Sequence, residues 1–81
     1  MTCVLNEVAA HQKGRQVLVS RVIDSIDKEG ERLHFWGIEG GTTILLRQEG
    51  KHFVSWEELE VPIGIAINLY FKQPQSDAVA A

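Results

Sequence analysis

Val61-Pro62-Ile63-Gly64-Ile65-Ala66-Ile67-Asn68-Leu69-Tyr70-Phe71 is the most regular stretch of the chain. Ile63, Ile65, Ile67, Leu69 and Phe71 alternate with Gly64, Ala66, Asn68 and Tyr70, the period of a strand with one buried side. Glu57-Glu58-Leu59-Glu60, just before it, reads as one short helical turn, which Pro62 stops from continuing. The stretch therefore predicts a final strand, and a final strand is what lets a sheet curl shut.

Upstream, two glycine turns punctuate three apolar segments. Gly40-Gly41 separates ERLHFWGI from TTILLRQ, and Glu49-Gly50 separates that segment from KHFVSW. Residues 16–27 (QVLVSRVIDSID) are ambiguous, because Leu18, Val19, Val22, Ile23 and Ile26 also fit helical spacing. Their β-branched content and the turn Asp27-Lys28-Glu29-Gly30 favour a strand. At the start, Thr2 stands as a helix cap, Val4, Leu5, Val8 and Ala9 share a helical face, and Gly14 stops the helix.

The order is thus helix, four antiparallel strands, a short turn and a last strand. It predicts a mainly β (α+β) domain over residues 1–72: a five-stranded antiparallel barrel of the SH3-like or Sm-like kind with a short N-terminal helix. The Sm-like resemblance is one of element order, without an RNA-binding glycine or aspartate signature. Residues 73–81 (QPQSDAVAA) are polar and small, and read as a disordered tail. Its ending, Ala78-Val79-Ala80-Ala81, resembles the Ala-Leu-Ala-Ala end of the bacterial trans-translation degradation tag, departing from it at Val79. That resemblance implies capture by a ClpXP-like protease and a short-lived regulator.

Composition narrows the function classes. An 81-residue chain makes one domain with a marginal core. Cys3 is the single cysteine, so no internal disulfide forms. His11, His34 and His52 are scattered and match no zinc spacing, and no metal or cofactor is expected. No basic and apolar leader opens the sequence and no apolar run spans a bilayer, so the expectation is a cytoplasmic protein without membrane contact. A net charge of −3, with both signs interspersed, weighs against binding duplex DNA through its phosphates.

Centring the hairpins on the two glycine turns places Phe35, Leu46 and Phe53 on one sheet face. Trp36, Leu45 and Val54 share the other, with Ile38, Thr43 and Trp56 in the next row. Ile23 then joins the first row and Val22 the second. Both faces are apolar. The Phe35 face is expected to be the core, while the Trp36/Trp56 face is covered by the N-terminal helix, by a second subunit or by a partner. The same register aligns Asp24, His34, Arg47 and His52, either as an anion site or as a solvated row of charge pairs.

No nucleophile joins that row: Ser20 and Ser55 lie on ordinary strand segments and Cys3 on the terminal helix. Gly37, Gly40 and Gly41 precede a strand, not a helix, and so form no phosphate loop. A histidine acid–base pair is the one enzymatic reading left. The expected function is a non-enzymatic protein-interaction or inhibitor module, accessory to a bacterium or phage, with Trp36, Ile38 and Trp56 at its centre and Arg47 and His52 at the edge. A homodimer or ring would help a small core. The alternative is a single-stranded nucleic-acid binder, in which tryptophans stack bases and His34, Arg47 and His52 contact phosphate.

Overall fold

The computed structural model describes residues 3–71. The expected tail over 73–81, its tag-like ending and a Thr2 cap lie outside the described residues. Helix α1 (Val4–His11) leads into strands β1 (Val17–Asp24), β2 (Glu31–Ile38), β3 (Thr42–Glu49) and β4 (His52–Leu59), and helix α2 (Ile63–Tyr70) ends the order. The strands form one antiparallel meander in the order β1-β2-β3-β4. The molecule is mainly β, as the segment pattern predicts, and residues 16–27 do supply a strand.

The last segment is a correction. Ile63–Tyr70 is a helix, so there are four strands and the sheet stays open instead of closing into a barrel. The stretch is so apolar that it fills two periods at once. Ile63, Ala66, Ile67 and Tyr70, spaced i, i+3, i+4, i+7, are the residues that turn inward, while Ile65 and Leu69 remain 50% and 58% exposed. Pro62 does not oppose this helix: it is the N-cap, and its carbonyl accepts the Ala66 N–H at 2.9 Å. The expected helical turn at Glu57-Glu58-Leu59-Glu60 is also revised, since Leu59, Glu58 and Glu57 extend β4 opposite Thr43, Ile44 and Leu45.

Registers differ from the hairpin-centred expectation. Ile38 pairs with Thr42, so the β2–β3 loop is Glu39-Gly40-Gly41, one residue longer than a Gly-Gly turn. Both glycines have positive φ, 101° and 84°, which a side chain would oppose. The extra residue sets Phe35 opposite Leu45 and Trp36 opposite Ile44. In β4, Phe53 faces Gln48 and Ser55 faces Arg47, leaving Val54 as a bulge. The bulge puts Phe53 and Trp56 on one side of the sheet, where strict alternation would separate them.

One helix covers each face. Under α2, Leu33, Phe35, Leu45, Ala66 and Phe71 are buried, with Ile23, Leu59, Val61, Ile63, Ile67 and Tyr70 around them. Under α1, Val8, Ile38, Ile44 and Leu46 are buried, with Val4, Trp36, Phe53 and Trp56 around them. Phe35 and Leu46, expected as neighbours in a single core, thus belong to two cores separated by the sheet. Thr43 is fully buried, and its hydroxyl donates to the Val61 carbonyl at 2.8 Å, fixing the link from β4 into α2.

Candidate functional site

The residues expected to gather at a binding surface are spread over both faces. Trp36 and Trp56 are half-buried and Ile38 is 2% exposed, all packed beneath α1. The His11 ring lies tilted against Trp56 with centroids 4.8 Å apart. His11 Nε2 also meets Glu58 Oε1, and Arg15 Nη2 donates to Glu58 Oε2 at 2.9 Å. These bonds hold the Glu58 carboxyl below its ordinary value, with the His11 contact contributing most. The chain's own helix, one of the covers considered for the tryptophan face, packs on it.

Arg47 stands on the α2 side, donating to Glu31 Oε2 at 3.3 Å and lying 5.7 Å from the Tyr70 ring centroid. His52 is exposed at the start of β4, opposite Glu49. His34 is on the α1 side, its Nε2 2.7 Å from Gln48 Oε1 and its ring 5.5 Å from Phe53. Asp24 accepts from Arg32 at 2.8 Å. The Asp24/His34/Arg47/His52 row is not assembled: Asp24 pairs with Arg32, His34 with Leu46, Arg47 with Leu33 and Ser55, and His52 with Glu49.

Two clefts flank the β1–β2 turn. One of about 600 Å³ is lined by Ile26, Lys28, Arg47, Leu69, Tyr70 and Phe71, among others. Tyr70 donates its hydroxyl to Glu57 Oε2 at 2.6 Å, and burial together with that carboxylate pushes its pKa up to about 12. The other, of about 440 Å³, lies among Asp24, Glu29, Glu31, Arg32 and Gln48. Their cations are paired: Arg47 to Glu31, Arg32 to Asp24 and Lys28 to Glu49. Among the described residues no group of three or more His, Cys, Asp or Glu is placed to hold a metal ion. No helix among them is long and apolar enough to cross a membrane.

The feature that sequence reasoning missed is β1. Every residue of this strand except Ile23 is exposed. Val17, Leu18, Val19 and Val22 are 43%, 57%, 44% and 50% exposed, and Ile26 just beyond is 65% exposed. Among the described residues, β2 is the one element with which β1 makes extensive contact. Ser25 N–H donates to the Glu31 carbonyl at 2.8 Å, and antiparallel pairs alternate between bonded and non-bonded. Ser20, Val22 and Asp24 accordingly aim their backbone groups outward, where no strand stands among the described residues. The signal was present: the first strand of a meander is an edge unless the last strand returns to it.

Comparison with protein-family models, with curated proteins and with solved structures gives no match.

Proposed function

We propose that this chain is a non-enzymatic protein-interaction module whose docking surface is the outer edge of β1. The observation that carries the reading is an eight-residue edge strand, rich in exposed valine and leucine, whose outer side is unpaired among the described residues. Such edges are usually blunted by charge, proline or a covering segment, because their free N–H and C=O groups template another strand. Main-chain bonds would supply affinity, and the side chains of Leu18 and Val22 would supply selectivity. The tryptophans take the supporting role of holding α1 on the sheet.

The test uses N-terminally tagged protein and its Val22→Lys variant as baits in cell extract. Lysine at this exposed position should leave the melting temperature within about 2 °C, since surface changes are generally small. Loss of captured proteins with Val22→Lys is expected; identical capture by both baits would refute an edge-centred surface. Single-stranded nucleic-acid binding asks for Trp36, Trp56, His34, Arg47 and His52 on one surface, and their division between faces favours the protein-interaction reading. A steep fall of any oligonucleotide binding with salt would support the nucleic-acid reading instead.

A further inference from the structure

Resting on the edge-docking reading, we infer that the occupant of β1 is β1 of a second copy, joined antiparallel about a two-fold axis normal to the sheet. Such an axis keeps α1 on one side and α2 on the other in both copies, and makes one eight-stranded sheet from two four-stranded ones. The outward-facing groups of Ser20, Val22 and Asp24 must meet their own kind, which leaves few registers. With Arg21 on the axis, two guanidinium groups would stand directly opposite each other, which is repulsive. With Val22 on the axis, pairing covers Ser20–Asp24 and leaves the exposed Val17, Leu18 and Val19 uncovered.

With Ser20 on the axis, the sequence complements itself. Leu18 faces Val22 and the stem of Arg21 lies along Val19. The bulge between Val17 and Val19 ends regular pairing there, and the Gln16 carbonyl already accepts from the Glu39 N–H. Leu18–Val22 of each strand overlap, adding about four main-chain hydrogen bonds. The exposed parts of Val17, Leu18, Val19 and Val22 amount to roughly 300 Å² per copy, so with polar atoms the pair buries about 1,000 Å², near the lower limit for a specific interface. That size points to a dimer of micromolar affinity. Like net charges of −3 oppose it over distance, so it should tighten with moderate salt.

The experiment places single cysteines in a Cys3→Ser background, at Ser20, Arg21 and Val22, and joins them by mild oxidation. A hydrogen-bonded pair has Cα atoms about 5.5 Å apart, within disulfide reach. Ser20→Cys should cross-link fastest, while Arg21→Cys or Val22→Cys cross-linking fastest would overturn this register. Sedimentation equilibrium of the wild-type chain should show dimer, and both Val22→Lys and Val22→Pro should raise its dissociation constant at least about ten-fold. Proline suits this test because the Val22 N–H points away from β2.

A wild-type monomer at roughly 100 μM, a hundred times a micromolar constant, would overturn the second-copy inference. So would a dimer unaffected by Val22→Lys. In either case Val22-dependent capture from extract would still uphold edge docking of a different protein, so the two readings fail separately.

Discussion

β4 ends its side of the sheet with α1 packed on it and α2 tied to it through Tyr70, whereas β1 ends the other side without cover among the described residues. On the α1 face, His11 and Arg15 bond Glu58 and His11 packs on Trp56; on the α2 face, the Tyr70 hydroxyl bonds Glu57. β4 also carries the Val54 bulge and the acidic run Glu57-Glu58, both of which discourage a neighbouring strand. β1 has a bulge near Val17 and two charges, Arg21 and Asp24, among exposed valines and Leu18. Polar bonding and helix cover are thus concentrated on one edge. An edge guarded so thoroughly makes the bare one the surface to explain.

The largest expected effect breaks the guarded edge. Trp56→Ala removes the ring that α1 rests on and should cost about 3 kcal/mol in urea unfolding. Leu18→Ala on the bare edge should stay within about 0.5 kcal/mol when measured on dilute protein. Equal costs would erase the contrast between the edges.

Alkaline titration sharpens it from the α2 side. The Tyr70 pKa is raised from 10.0 to about 12, so the neutral phenol is the form the fold prefers. Its stabilisation is present below pH 10 and should be lost as pH rises through about 12. Tyr70→Phe should flatten that limb of the stability curve; a curve that falls unchanged would place the loss elsewhere.

Acid titration gives a smaller effect from the α1 side. The Glu58 carboxyl lies below its ordinary 4.5, so its stabilisation is present above that pH and lost as pH falls through the lowered value. Glu58→Gln should lower stability at neutral pH and reduce the acid-dependent loss, with thermal melts at pH 7 and pH 3 as the readout. Exposure of the pair keeps the effect modest.

The smallest signal is local. The outward-facing amides of Ser20 and Val22 should exchange with deuterium fast in dilute protein and slow as concentration rises. Amides of β3, paired on both sides, should not change with concentration. Concentration-independent exchange at Ser20 and Val22 would remove the evidence for strand addition.

How much of this was legible depended on whether one period dominated a segment. The three hairpins were readable because glycine marks their turns and β-branched residues fill their arms. Ile63–Tyr70 misled because only Gly64 and Asn68 interrupt an apolar run, so strand and helix spacing were both satisfied. The apolar character of both sheet faces was legible, and it already argued for cover on each side. Neither the third residue in the Glu39-Gly40-Gly41 loop nor the Val54 bulge had a unique signature. The registers of all three hairpins, with Asp24 opposite Arg32, Arg47 opposite Leu33 and His52 opposite Glu49, are what dispersed Asp24, His34, Arg47 and His52. The open edge of β1 was hidden by a strand expected to close over it.

Because every strand pairs with its neighbour in the chain, the sheet can assemble from short loops, and short loops close at little entropic cost. Helix α1 is the exception: His11 reaches Glu58 across 47 residues of chain. That contact can form only once β4 is in place, which makes α1 a late element to dock. Truncating Val8, its fully buried residue, should therefore speed unfolding while leaving the folding rate nearly unchanged, the signature of a φ-value near zero. A slower folding rate for Val8→Ala would instead put α1 in the nucleus.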